Sequence, residues 1–190
     1  FRPLNKLFGE QIAGLAAGVY LGKWALEGDA VVSETEFSRS GRGRDPEQMI
    51  YFKASFLDGD YRNWPKWKLG SGRLFTPDKY SLGYFVHSYI RTSSGNSTYI
   101  GDITDYVADH FYNPFCVKKA YKSYTGYTIR EHFENIKYSI GEKWKNEDSL
   151  KRPLTLYKRI SHKGNDYSSY RSVVSISPDT LFAIRSDMDE

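Results

Sequence analysis

The sequence predicts a mainly α-helical protein that ends in a short β segment. Over residues 1–145, apolar residues recur at helical spacing between clear helix start and stop signals. Near the end of the chain the pattern changes to short alternating runs separated by turn residues, which is typical of strands. We therefore expect a helical unit over 1–145, a linker over 146–153 and strands over 154–190, too few for a complete sheet domain.

Helix boundaries are predicted by capping residues. Asp45 is a plausible N-cap, because Pro46 after it is tolerated in the first turn of a helix. Asp78, which follows Pro77, marks another helix start, and Thr128 with Glu131 forms a capping box. The predicted helices cover residues 23–37, 47–57, 76–91, 98–111, 114–124 and 129–145, and residues 4–22 are predicted to form a loosely packed helix or a pair of turns. The predicted strands cover residues 155–160, 170–176 and 181–185. Residues 58–75 are rich in turn residues and are predicted to be irregular.

Composition restricts the possible functions. The net charge is +4, but basic residues alternate with acidic ones apart from residues 39–44, so the sequence does not favour nucleic-acid binding. No apolar run reaches the roughly 18 residues of a membrane span. The single cysteine, Cys116, excludes an intrachain disulfide and is predicted to be a buried thiol. No two of the four histidines have the spacing of neighbouring metal ligands.

The segment from Trp24 to Glu34 carries the most informative pattern. On a helix, Trp24, Glu27, Val31 and Glu34 fall on one stripe, which sets two carboxylates among apolar side chains. Such a carboxylate needs an ion pair, hydrogen bonds or a metal. Two interpretations therefore stay open: structural ion pairs with Lys or Arg from elsewhere in the chain, or a ligand site.

The pattern Trp-x-x-Glu-Gly-x-Ala, with a second Glu seven residues after the first, resembles the glutamate-ligand helix of gluzincin zinc metallopeptidases, the aminopeptidase N-like enzymes included. Its elements here are Trp24, Glu27, Gly28, Ala30 and Glu34. The longer pattern, which continues to Gly-Arg-Gly-Arg at 41–44, resembles large secreted or envelope proteins of Bacteroidetes-type bacteria. In that group a gluzincin-like domain precedes a TolB-like β-propeller, and the likeness extends along the whole chain.

The resemblance implies that residues 1–145 are the helical C-terminal lobe of a gluzincin-like (thermolysin-like) catalytic domain, and that the β segment begins a propeller. Glu27 matches the zinc ligand and Glu34 matches a supporting glutamate that orients the site. The implied reaction is hydrolysis of a peptide or protein substrate by a zinc-bound water. The implied compartment is the periplasm, the outer membrane or the extracellular space.

Three further residues are assigned with less complete matches. Tyr80 in Tyr-Ser-Leu-Gly matches the tyrosine of a Tyr-x-Lys-Gly pattern that hydrogen-bonds the oxyanion, although Leu82 replaces the lysine; the alternative is that Tyr80 only packs. Arg42 and Arg44 lie in a stretch that resembles a flexible anion-contacting loop, which suggests contact with a substrate carboxylate. The alternative for both arginines is a solvated loop.

The HExxH motif that supplies two histidines and a general base in this clan does not occur in the 190 residues. Either it lies before Phe1, or the protein never had it. We expect zinc to be bound by the intact protein and not by this chain alone. Two other functions stay open: a gluzincin-like protein without catalysis that serves as an envelope binding or assembly module, and a helical domain unrelated to peptidases.

Overall fold

Helices dominate the structure, and a β-hairpin follows them, which confirms the predicted fold class. The computed structural model describes residues 18–59, 61–71, 75–151, 156, 158, 160 and 168–187. Within these ranges the α-helices are α1 (Lys23–Phe37), α2 (Glu47–Leu57), α3 (Trp64–Leu69), α4 (Lys79–Ser94), α5 (Tyr99–Asp109), α6 (Cys116–Thr125) and α7 (Ile129–Ser149). A 3-10 turn spans Arg42–Arg44, and the strands are β1 (Ser168–Ser177) and β2 (Thr180–Asp187).

Two of the three predicted caps are confirmed. The Asp78 carboxylate accepts a hydrogen bond from the backbone N–H of Ser81 at the start of α4. At the start of α7, Thr128 and Glu131 each accept a bond from the other's backbone N–H, which completes the capping box. The N-cap of α2 is Pro46 and not Asp45, which lies one residue earlier and accepts from the backbone N–H of Glu47.

Two elements differ from the predicted pattern. The stretch predicted to be irregular contains α3, in which Asn63 caps the N–H of Lys66 while Trp64 and Trp67 are buried. Six residues are too few to give a periodic signal, and the burial of two indole rings stabilises this helix instead. The last helix continues to Ser149, four residues beyond its predicted end.

An aromatic cluster forms the centre of the core. Phe52 of α2 stacks on Phe85 of α4 with ring centroids 4.4 Å apart, and on Trp67 of α3 at 5.0 Å. Phe85 also stacks on Trp144 of α7 at 5.9 Å. Cys116 is fully buried in the same core, as predicted. Ring packing therefore holds the three consecutive helices α2, α3 and α4 together and joins them to α7, which is distant in sequence.

The closest helix contact joins α1 to α4, and it depends on two glycines. A Cβ atom on Gly28 would overlap with the backbone of Gly83, and a Cβ atom on Gly83 would overlap with the carbonyl oxygen of Trp24. The two backbones therefore touch without side chains between them. Only glycine at both positions permits this approach.

Ion pairs show that α1 and α4 run parallel. Glu27 pairs with Lys79 in the first half of α1 and at the start of α4. Glu36 pairs with Arg91 near the ends of both helices. Residues 38–78, which include α2 and α3, form the connection that returns the chain to the starting end of α1.

The C-terminal strands pair with each other in antiparallel register, with Tyr170 opposite Arg185 and a turn at residues 178–179. They confirm two of the three predicted strands. Large apolar side chains are exposed on both: Val173, Val174, Ile176, Leu181, Phe182 and Ile184. Residues 156, 158 and 160 of the predicted strand over 155–160 are described and are not in a strand; the rest of that segment, and most of residues 4–22, lie outside the described residues.

Among the described segments, no helix combines the length and the hydropathy needed to cross a bilayer.

Substitution of Gly83 by Ala is expected to lower the free energy of unfolding by about 2–3 kcal/mol, because the added methyl group must push two helix backbones apart. The measurement is urea unfolding followed by circular dichroism. Gly101→Ala is the matched control, since this exposed helical glycine has no atom near its Cβ position. That control is expected to stabilise the protein by about 0.5–1 kcal/mol. Equal effects of the two substitutions would contradict the backbone contact.

Candidate functional site

The glycine contact between α1 and α4 brings Glu27 next to the first turn of α4. There the Lys79 ammonium lies 3.7 Å from a carboxylate oxygen of Glu27. The two side chains are 35% and 40% exposed, so solvent screens this pair. The separation exceeds hydrogen-bond length, and the Glu27 carboxylate is therefore held loosely and open to water.

Tyr80 lies between two cations. The Lys79 ammonium and the Arg42 guanidinium carbon each lie 5.1 Å from the centroid of its ring. Both distances are within the range of cation–π attraction. Glu27, Lys79, Tyr80 and Arg42 thus form a continuous series of charged and aromatic side chains across the α1–α4 contact.

Arg42 connects this series to Glu34. Its Nε donates to one carboxylate oxygen of Glu34 at 2.9 Å, and its backbone N–H donates to the other at 3.1 Å. These bonds lower the pKa of Glu34 from its usual range, with the backbone N–H making the larger contribution. The two glutamates of the stripe therefore both make ion pairs, as one of the two interpretations predicted, and neither carboxylate is fully buried.

The Gly-Arg-Gly-Arg stretch is fixed to the end of α1. The Thr35 hydroxyl accepts a hydrogen bond from the backbone N–H of Gly43 at 3.0 Å, and the Arg44 side chain donates to the carbonyl oxygens of Thr35 and Ser38 at 2.8 and 3.3 Å. A Cβ atom on Gly43 would overlap with the ring of Tyr84. The flexible loop of the sequence-based expectation is instead a 3-10 turn that caps the C-terminal carbonyls of α1.

A buried polar pair lies beneath the site. His87 of α4 stacks on Trp24 of α1, with centroids 5.3 Å apart and planes 11° from parallel, and its Nδ1 is hydrogen-bonded to the Tyr99 hydroxyl. Burial lowers the pKa of His87 to about 3; the backbone of Ala25 opposes this shift, and the positive charge of Arg91 adds to it. His87 is therefore neutral at neutral pH and supports Trp24, one helical turn before Glu27.

A second ion-pair group joins the other ends of the two helices. The Arg91 guanidinium donates to Asp29 at 2.8 Å and to Glu36 at 2.7 Å, and its side chain is only 14% exposed. Asp29 is 25% exposed, so its pair with Arg91 is screened less than the Glu27–Lys79 pair, whereas Glu36 is 50% exposed. The group fixes α1 along α4 two turns beyond the site.

Sequence reasoning did not identify Lys79, His87 or Arg91 as neighbours of the stripe. For Lys79 a signal was present, because it directly precedes Tyr80. His87 falls on the Tyr80 side of α4 by periodicity, yet it is buried against Trp24.

Within the described ranges, no group of three or more His, Cys, Asp or Glu side chains has a geometry that could hold a metal ion. Glu27 can supply one carboxylate ligand, whereas a catalytic zinc site takes three protein ligands. The described residues therefore supply one of the three protein ligands that such a site requires. No protein-family model, curated protein or solved structure matches the chain.

Replacing Arg42 with Ala is expected to raise the pKa of Glu34 towards its usual range, but only in part, because the backbone N–H of residue 42 remains. Carboxyl-carbon NMR titration measures this pKa. Arg44→Ala is the control, since Arg44 contacts carbonyl oxygens and not Glu34. Because the folded-state pKa is lowered, this carboxylate contributes stability above its unfolded pKa, and the contribution is lost as the pH falls through the folded-state value. An unchanged Glu34 pKa in Arg42→Ala would contradict the described pairing.

Neutral, buried His87 is expected to make the protein sensitive to acid. Between about pH 6.5 and pH 3, His87 binds a proton in the unfolded chain but not in the folded protein. The free energy of unfolding therefore falls as the pH falls, by about 1.4 kcal/mol per pH unit. His132, whose pKa burial lowers to about 4, adds to this slope. In His87→Gln the slope is expected to be smaller by about 1.4 kcal/mol per pH unit, as measured by urea unfolding at several pH values. Parallel profiles for the two proteins would show that His87 is not the group responsible.

Proposed function

We propose that this chain is the glutamate-bearing helical lobe of a zinc metallopeptidase, and that Glu27 is its metal ligand. The observation that carries the proposal is the position of Glu27: a partly exposed, loosely paired carboxylate one residue from a backbone contact that fixes its helix. A carboxylate held in this way keeps its oxygens available to a cation. The two histidine ligands would come from residues outside those described.

The outer side of α1 supports the proposal. Leu26 is 44% exposed, Phe37 is 88% exposed, and Ala30 between them is also exposed. An uncovered apolar stripe next to a carboxylate is typical of a surface that another segment covers. A helix that carries zinc-binding histidines would bury this stripe and bring its ligands to Glu27.

The neighbouring side chains have suitable chemistry for peptide hydrolysis. When zinc is bound, it supplies an activated water and polarises the substrate carbonyl. The Tyr80 hydroxyl can donate a hydrogen bond to an oxyanion, while the contacts of Lys79 and Arg42 with its ring limit the motion of that ring. Glu34 holds Arg42 and thereby the position of Tyr80.

Arg42 is better suited than Arg44 to bind a substrate carboxylate. Within the described residues its Nε and backbone N–H are bonded to Glu34, and its terminal nitrogens have no hydrogen-bond partner. Arg44 uses a terminal nitrogen to cap α1. A carboxylate bound between Arg42 and Lys79 would lie beside Tyr80.

By the sequence resemblance, the enzyme would act in the periplasm, at the outer membrane or outside the cell.

The exposed apolar hairpin favours a second function. Six large apolar side chains on β1 and β2 are open to solvent, which suits a surface for another β-sheet or a partner protein. In this alternative the chain is a binding or assembly module in the cell envelope, and the pair of Glu27 with Lys79 is only structural.

The test compares metal content and peptide hydrolysis in the full natural protein and its variants. Glu27→Gln is expected to lose bound zinc and activity, and Tyr80→Phe to keep zinc but lose roughly 10²–10³-fold in kcat. Glu34→Gln is expected to weaken zinc binding about 10–100-fold. Glu142→Gln and Tyr138→Phe on the surface of α7 are the controls. Zinc content that is unaffected by Glu27→Gln would refute the ligand assignment. A full protein that neither binds zinc nor cleaves peptides would support the binding module.

A further inference from the structure

A groove of about 440 Å3 lies between α2, α4 and α7. Met49 of α2 and Ile140 of α7 form its sides, and Phe85 of α4 lies buried at its base. The rings of Tyr84 and Tyr89 complete the apolar lining. The volume falls in the usual range of small-molecule sites.

Most of the exposed lining is apolar, so the groove offers a ligand few hydrogen bonds beyond the hydroxyls of Tyr84, Ser88 and Tyr89. The Thr92 hydroxyl donates to the carbonyl oxygen of Ser88 at 2.9 Å, and the Ser139 hydroxyl donates to that of Asn135 at 3.0 Å. Both protons are therefore used within their own helices. A ligand with many polar groups, such as a peptide backbone, would leave some of them without a partner, whereas an apolar chain would not.

One charged side chain, that of Lys143, lines the groove. Along α7, Glu142 directly precedes Lys143 and Glu147 lies one turn further on; Glu142 pairs with Lys145, and Glu147 accepts a hydrogen bond from Lys53 at 2.8 Å. Each of these carboxylates is therefore shared with another lysine. This edge of the groove carries a positive charge that complements an anion.

We propose that the groove binds a single-chain carboxylate of the medium-chain fatty-acid type. The alkyl chain lies against Met49, Phe85 and Ile140, and the carboxylate pairs with Lys143. The carboxylate end stays in contact with water, so neither charge is buried without a partner. This binding does not depend on zinc or on the proposed peptidase activity.

The two methionines of the chain, Met49 and Met188, provide a direct probe. In protein with ¹³C-labelled methionine methyl groups, titration with decanoate below its micelle concentration is expected to shift the Met49 signal saturably. Met49→Leu assigns the two peaks. No shift at Met49, or a shift that does not saturate, would overturn the proposal.

Variants separate the contributions of charge and volume. Lys143→Gln is expected to weaken decanoate binding about threefold to fivefold while leaving the binding of decanol unchanged. Lys145→Gln is the matched control, because that exposed lysine pairs with Glu142 and does not line the groove. Thr92→Trp at the exposed edge is expected to fill the groove and abolish the binding of both probes. Equal decanoate affinity in Lys143→Gln and wild type, or unchanged binding in Thr92→Trp, would refute the site.

A peptide end with apolar side chains carries the same combination of apolar body and carboxylate. N-acetyl-Leu-Leu is therefore titrated in parallel. Weaker binding of this dipeptide than of decanoate supports the alkyl-chain ligand, since few of the exposed atoms of the groove are polar. Tighter binding of the dipeptide would overturn the assignment in favour of a peptide terminus.

Discussion

The backbone contact between Gly28 and Gly83 is the constraint on which the candidate site depends. Because no side chain separates α1 from α4 at this point, residues on either side of it come within reach of each other. Glu27 then reaches the first turn of α4, and Trp24 reaches His87. A larger residue at either glycine would move Glu27 away from Tyr80 as well as destabilise the core. Stability and site geometry therefore have a common origin here.

Glycines permit close approach, but they do not set how far one helix slides along the other. That register is set by side chains at both ends of the contact. Arg91 holds Asp29 and Glu36 in a sheltered position, while Lys79 pairs weakly with Glu27 in solvent. The strong pairs lie away from the proposed chemistry and the weak pair lies within it. Such a division lets Glu27 change partners without loss of the helix contact.

Local signals allowed much of the fold to be predicted, because a cap such as Thr128 with Glu131 depends on neighbours in sequence. The short helix α3 could not be predicted, since burial of Trp64 and Trp67 stabilises it and burial is a property of the whole fold. The stripe on α1 predicted correctly that Trp24 would be buried. It did not indicate that Lys79 would pair with Glu27, because residues 52 positions apart meet only through tertiary packing.

The parallel course of α1 and α4 has an electrostatic consequence. Parallel helices place their positive N-terminal ends on the same side, and α4 begins at Lys79, directly beside Glu27. The backbone N–H groups of this first turn add their partial charges to those of Lys79 and Arg42, while the Asp78 carboxylate that caps the turn offsets part of them. In the proposed site, an anion beside Tyr80 would therefore meet the field of the backbone as well as that of two side chains, and a substitution at Lys79 or Arg42 alone would remove only part of that field.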